Sequence, residues 1–498
     1  MHRLTRWALP ATAVVVTAAV LAPLAAPGYV LSYDMLFVPH QPLRADLIVP
    51  SATLPRAVPQ DALVSLASLV APGWLIQRVA LVAILMLAAW GAGRLVPTER
   101  VGPRLVAAVA YAWTPFLAER LLLGQWGLLL AYGSLPWILG TLKKEWWKLL
   151  VACLPAAVTP TGGLIAFATV LVLAPRKAVI PALLNLPWLL ATAFSQADGR
   201  SDPGGVAAFA ARGTDWTGPI GALLGTGGIW NAQTTLPSRS SPLVPLGTLL
   251  LLALAVTGWR PLRDRWPDGT AIRLLILAGG GFLLAALAVV PGGRGLLEWA
   301  VTTLPGAGVL RDGAKFLIPY ALIVALCAAL GAERLHSRAI LAGALVLPLV
   351  VMPDLAFGAG GRLRPVSYPA DFAVVARTIE ASPGEVVSLP FVGYHTYRWN
   401  RGRTVIDPLP RFVDADVVRD DRLLVGGQVI AGESTRAAEI RRVLAAGQPL
   451  AQLGMRWVVV QRVEGEPPVP PAALAGLTMV HAGSDLQLYE NGSSQRSY

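Results

Sequence analysis

The sequence predicts an α-helical polytopic membrane protein of about eleven transmembrane helices, followed by a small extracytoplasmic α/β domain. Three observations carry that prediction. Of the 498 residues, 55% are hydrophobic and only 14% charged, too apolar for a soluble chain of this length. The apolar residues fall in blocks along positions 1–357, most of them near the roughly 20 residues a helix needs to cross a bilayer. From about Asp354 the blocks stop, and amphipathic and alternating patterns take over. The chain therefore divides into a membrane domain, 1–357, and an outer domain, 358–498.

The blocks read as spans at 7–30, 74–95, 105–118, 127–142, 149–159, 163–174, 178–195, 243–259, 272–290, 314–332 and 339–357. The fifth and sixth are too short to cross alone and flank "TPTGG" at 159–163, so they read as half-membrane or kinked segments. Residues 1–28, with Arg3, Arg6 and the ending "PLAAPG", have the look of a secretory signal. The apolar run is long enough to span, and a membrane bundle follows, so it is read as an uncleaved first span. In the first outer loop, 31–73, "QDALVSLASLVAPG" sets Leu63, Leu66 and Val70 at helical spacing, as in a helix lying in the interface plane.

Beyond Asp354, "YPADFAVVARTIEA" predicts a helix, "EVVSLP" a strand, and "STRAAEIRRVLAAG" a helix stopped by Gly447. "MRWVVVQR" predicts another strand, and "LTMVHAGSDLQLYEN" a hairpin turning at Gly483-Ser484.

A net charge of +12 would point to nucleic acid in a soluble protein. Here it is distributed by side. Loops 1–6, 94–104, 142–148, 175–177, 258–273 and 333–338 carry 16 Lys and Arg against 5 acids. From 354 onward there are 15 of each. The positive-inside rule then puts the N-terminus in the cytoplasm and, with an odd number of spans, the C-terminal domain outside. The charge follows topology and implies no nucleic-acid partner. Cys153 and Cys327 both fall within spans and offer no disulfide or metal framework.

No phosphate-binding loop, HExxH or GxSxG is present, and five scattered histidines give no metal-ligand spacing. "DAD" at 414–416 matches the metal-binding DxD of nucleotide-sugar transferases. It lies outside the cytoplasm, where nucleotide sugars are not supplied, and reads as a solvated turn. What remains is a set of charges at the outer mouth of the bundle. Asp34, Asp46 and Asp61 lie in the first outer loop, "AERLLLGQW" supplies Glu119 and Arg120, and "GVLRDGAKF" supplies Arg311, Asp312 and Lys315. Lys315 is the single lysine placed outside; the other four lie in inner loops. Each has a plainer role: Arg120 snorkelling to headgroups, Asp312 capping the tenth span, Arg311 and Lys315 meeting phospholipid. Their gathering on one side favours a site.

An acid just after the first span, "ERLLLGQWGLLLAYGSLPW" between the third and fourth, and "LRDGAKFLIPYAL" entering a late span together resemble the GT-C superfamily. These are polytopic glycosyltransferases that use polyprenyl-phosphate sugars. The outer domain, with "LGMRWVVV" and "LQLYEN", is similar to domains that follow the membrane part in bacterial members. The resemblance implies an inverting transfer from a polyprenyl-phosphate sugar donor to an envelope glycan or protein acceptor, at the outer face of the plasma membrane among its lipids. It implies an acid of the first outer loop as base, Asp34, and substrate contacts from Arg311, Lys315, Arg120 and Glu119, with Asp46 and Asp61 as substitute candidates. The acidic pair of some members is absent, since Met35 follows Asp34. A divalent cation therefore stays open, with no metal ligands assigned.

Two other readings compete. A transporter or flippase for a lipid-linked glycan should carry mid-membrane charges or repeated halves, and the sequence has almost none of the first and no visible repeat. A non-catalytic scaffold of the same architecture would keep the fold and use the outer domain to hold partners.

Overall fold

The computed structural model describes residues 2–49, 54–195 and 199–492. Residues 493–498 of the expected outer domain lie outside that range. All eleven apolar blocks become helical, but not all of them as helices long enough to span. Among the described residues, six helices are long and apolar enough to cross a membrane: Trp7–Ala25, Gly73–Leu95, Val101–Leu122, Leu243–Arg265, Thr270–Leu287 and Gly313–Arg334. Two bent pairs, Pro175–Leu184 with Leu186–Phe194 and Arg338–Val351 with Pro353–Gly361, raise the number to eight if each is one span. The expectation of about eleven spans is not confirmed, because several blocks are cut short. Trp126–Thr141 has 16 residues, Pro160–Leu173 has 14 and Trp146–Cys153 has 8. At about 1.5 Å per residue each falls short of a ~30 Å hydrocarbon core. The break before Pro160 is built by Thr159, whose hydroxyl accepts from Gly162 N and restarts the helix.

The spans are not equivalent. In Val101–Leu122 and Gly313–Arg334, 89% of the apolar window is buried by protein, against 22% in Leu243–Arg265 and 28% in Thr270–Leu287. The first two are central, and the others present Leu and Val outward, as lipid-facing helices must. Close packing between helices uses small residues. A Cβ on Gly258 would lie 1.8 Å from the Cys327 carbonyl oxygen, and one on Gly331 1.9 Å from that of Leu254. Helices Leu243–Arg265 and Ile318–Arg334 therefore touch backbone to backbone. Cys153 and Cys327 are buried free thiols.

The helix Gln60–Ser68 leaves Leu63, Leu66 and the following Leu69 and Val70 exposed, the apolar face expected of an interfacial helix. Among the described residues the C-terminal part has nine strands: β1 (Val386–Leu389), β2 (Tyr394–Tyr397), β3 (Arg403–Ile406), β4 (Val417–Val418), β5 (Leu423–Val425), β6 (Gln428–Ile430), β7 (Trp457–Gln461), β8 (Thr478–Ala482) and β9 (Leu486–Glu490). Five form a mixed sheet in the order β4-β1-β7-β9-β8, with helices Ala370–Ala381 and Thr435–Ala445 packed against it. The predicted helices and the β8-β9 hairpin fall where the patterns put them. The hairpins β2-β3 and β5-β6 were not anticipated.

The C-terminal part is anchored directly on the first loop. Tyr29 pairs with Val366, and Arg44 donates to the carbonyl oxygens of Val413 (3.0 Å) and Pro410 (3.3 Å). Arg411 makes a two-pronged ion pair with Asp61 (2.9 and 3.1 Å) and donates to Leu36 O. The loop after the first span and the C-terminal domain thus lie on the same side of the bundle, whatever the number of spans.

Candidate functional site at the mouth of the bundle

Asp34 is held by three separate parts of the chain. Tyr33 adds to the edge of β3: its N–H donates to Thr404 O (2.8 Å) and its carbonyl accepts from Ile406 N (2.9 Å). Asp34 N–H donates to Leu123 O (3.0 Å), at the end of helix Pro115–Leu122, and Ser32 Oγ donates to Leu122 O (2.6 Å). That helix starts at Thr114, which caps Leu117 N ahead of Pro115, and ends at Gly124 with φ +83°. Only glycine fits there. A Cβ would lie 2.0 Å from Met35 N and 2.4 Å from Ser32 O. The tight turn Ser32–Met35, carrying Asp34, therefore sits directly on Gly124.

The half-buried Asp34 carboxylate accepts a 2.6 Å hydrogen bond at Oδ1 from the hydroxyl of Tyr394 on β2. Burial and the charge of Asp34 hold the Tyr394 phenol well above its usual range, so it stays a donor. Oδ2 has no hydrogen-bond partner among the described residues and is the atom left for a further ligand.

Across from Asp34 stands a group of cations. Arg120 and Asp312 form a buried two-pronged pair (2.6 and 2.9 Å) joining the two central helices. Burial alone would raise the Asp312 carboxyl, but the Arg120 guanidinium outweighs it and holds it below the ordinary range. Lys315 Nζ is 3.9 Å from Asp312 and within the electrostatic reach of Asp34 and Arg311. Arg311 stacks over the Phe209 ring (5.6 Å to the centroid) and donates to Gly308 O (3.3 Å). Burial, then the like charge of Arg56, push its pKa down to about 10, so it remains charged at neutral pH but short of water. Arg56, paired with Glu433, and Arg419 complete the positive surroundings of Tyr394. The arrangement can hold an anion opposite a carboxylate that has one oxygen unengaged.

The residues singled out from sequence divide. Asp34, Arg311 and Lys315 come together. Arg120 is adjacent, but its guanidinium is committed to Asp312 and to Gln125 (2.8 Å) rather than snorkelling. Asp312 gives no cap to the helix it precedes. Glu119, one residue and about 100° round the helix from Arg120, reaches a different part of the chain. It accepts from Ile229 N (3.1 Å) and lies beside Arg239, which pairs with Asp215 (2.9 Å). Asp61 is engaged by Arg411, and Asp46 by Arg44 (2.9 Å) on an exposed turn. Asp414 and Asp416 are exposed, as a solvated turn requires. Among the described residues no three His, Cys, Asp or Glu side chains are grouped to hold a metal ion. Sequence reasoning missed Tyr394, Arg56 and Arg419. The alternation in "YHTY" marks a strand at Tyr394, yet nothing in it names a partner 360 residues away.

Fold and site together define a class: a polytopic membrane bundle with a same-side α/β domain and an acid-plus-cation mouth. No protein-family model and no curated protein matches the chain. Among solved structures it is similar to the cryo-EM structure of arabinofuranosyltransferase AftD from mycobacteria, with TM-score 0.59 and 19% identity over 98% of this chain and 40% of that one. A mutant of the same protein, in a second class of particles, matches with TM-score 0.55 and 18% identity over 98% of this chain and 41% of that one. The chain therefore spans about two fifths of the length of the structures it matches, and at these identities the likeness is one of fold.

Proposed function

We propose that the protein is a membrane glycosyltransferase of the cell envelope, working at the outer face with a polyprenyl-phosphate sugar as donor and a glycan as acceptor. One observation carries the reading: a carboxylate with one oxygen unengaged stands near Arg311 and Lys315 at neighbouring ends of the two buried central helices. The name of the fold neighbour makes an arabinofuranosyl donor the first to try.

In an inverting transfer the acceptor oxygen forms a bond to the anomeric carbon while the bond from that carbon to the phosphate oxygen breaks. The acceptor proton passes to Asp34, a contribution of roughly 10²–10⁴-fold for a placed general base. The leaving polyprenyl phosphate keeps the bonding electron pair, and Arg311 and Lys315 stabilise its charge. A preplaced partner of this kind is worth about 2.7–4 kcal/mol where water is scarce. Tyr394 orients the base, Arg120 and Asp312 fix the depth of Lys315, and the extracytoplasmic C-terminal domain closes over the site through Tyr394 and Arg419. The inner-loop charge excess supports a cytoplasmic N-terminus.

The test is reconstitution of the full chain in lipid nanodiscs with a polyprenyl-phosphate arabinofuranose and an oligosaccharide acceptor, read by mass spectrometry. Depletion of the protein in cells should make the cognate lipid-linked sugar accumulate. Unchanged pools of all such lipids on depletion, with no product from any donor, would count against the reading.

A further inference from the structure

At the far end of the bundle from Asp34 lies a cavity of about 380 Å³ that the proposed transfer does not use. It is lined by four guanidiniums from three elements. Arg260 and Arg265 come from the end of Leu243–Arg265, Arg334 from the end of Ile318–Arg334, and Arg100 from the residue before Val101–Ala112. The backbone contact at Gly258 and Gly331 brings the first two helix ends side by side.

The carboxylates present do not balance these charges. Glu333 is buried and saturated: Oε1 accepts from Thr98 Oγ1 (2.6 Å) and faces Arg100 (3.8 Å), and Oε2 accepts from Arg265 (2.6 Å). Asp264 also lines the cavity, but its ion pair is with Arg263 (3.5 Å), which does not. Arg260 and Arg334 have no carboxylate within 4 Å among the described residues, and Arg334 donates only to Thr257 O (3.2 Å). A rule that merely counts inner positive charges does not require four guanidiniums against two carboxylates around one hollow. The repulsion between the two without a carboxylate partner, Arg260 and Arg334, is relieved by an anion between them.

Depth narrows the anion. Helix Ile318–Arg334 has 17 residues, and begins just after Lys315. At 1.5 Å per residue its far end is about 25 Å from the candidate site, roughly the hydrocarbon thickness. The cavity thus opens at the opposite headgroup level. Guanidinium forks match phosphate oxygens in pairs, and basic pockets between helix ends take anionic headgroups. We propose that this cavity binds a phosphate group, carried by an anionic phospholipid of the inner leaflet.

The test uses the purified full chain, its Arg260→Gln/Arg334→Gln variant, and Arg294→Gln as control, since Arg294 pairs with Glu298 on an exposed helix. In one arm, native mass spectrometry counts dioleoyl phosphatidylglycerol retained against dioleoyl phosphatidylcholine. In the other, inorganic phosphate at millimolar concentration is tested for a shift in melting temperature. The expected result is an approximately tenfold loss of phosphatidylglycerol retention in the double variant alone, with phosphatidylcholine unchanged and no shift from inorganic phosphate. A shift from phosphate in the parent, lost in the double variant, supports the phosphate site and assigns it to a soluble ligand. Equal phosphatidylglycerol retention in parent and variant, with no phosphate shift in either, overturns the proposal. If the double variant does not fold, Arg260→Gln alone is read the same way.

Discussion

Replacing Gly124 by alanine tests how Asp34 is positioned without touching any charged group. The added Cβ would lie 2.0 Å from Met35 N, 2.4 Å from Ser32 O and 2.7 Å from Met35 Cβ. Nonbonded heavy atoms settle at roughly 3.5–4.0 Å, so the Ser32–Met35 turn must retreat by more than about 1 Å. Gly124 also sits at φ +83°, where an L side chain adds roughly 1–2 kcal/mol of strain. Asp34 lies inside the turn that moves, whereas Arg311 and Lys315 belong to another segment. A misplacement of about 1 Å at reacting groups costs on the order of 10²-fold in rate. Turnover should therefore fall about 100-fold while donor affinity changes less than about threefold. The assay is steady-state transfer in nanodiscs alongside donor-lipid binding by scintillation proximity, with melting temperature as the fold control. Wild-type turnover in a Gly124→Ala protein that melts normally would refute the clamp. Equal losses in donor binding and turnover would show general collapse instead.

Three further outcomes are expected. Arg311→Ala should weaken both donor binding and turnover, the latter by about 10²-fold or more for a lost phosphate partner, measured in the same two assays. Asp312→Asn leaves Arg120 buried without its counter-charge and should cost about 3–5 kcal/mol, read as a large drop in melting temperature. The depressed Asp312 carboxyl contributes stability that is full above the ordinary Asp range near about 3.9 and lost as pH falls through its lower folded value. Acid should accordingly destabilise the parent more than the Asn variant. A reporter active only in the cytoplasm, fused after Tyr498, should be silent, and activity there would contradict the proposed topology.

The helices were legible because apolar runs carry their own signal. Their lengths were not, since breaks such as Trp113-Thr114-Pro115 and Thr159-Pro160 depend on capping and on what packs alongside. Asn185 shows the same limit. Its amide satisfies the Gly163 and Pro181 carbonyls and sits at the bend of a helix pair that reads as one span. In the C-terminal domain, long amphipathic segments such as 370–381 were clear, whereas the four-residue strands β2 and β3 are too short to show a period. The acid after the first span and the cations before the tenth could be noticed, but not ranked. Asp61 and Asp34 look alike in sequence, and the difference is that Arg411 engages both oxygens of one while Tyr394 engages one oxygen of the other. Ion pairs such as Arg120–Asp312 join residues 192 positions apart, and only the packed helices disclose them.

The central claim is that Asp34 takes the acceptor's proton. The direct measurement is single-turnover transfer by purified Asp34→Asn, a change that keeps size and the Tyr394 contact while removing the basic oxygen. The account predicts loss of at least about 10²-fold in rate, with melting temperature and donor-lipid binding close to those of the parent. Transfer at the parental rate by the correctly folded variant would contradict it.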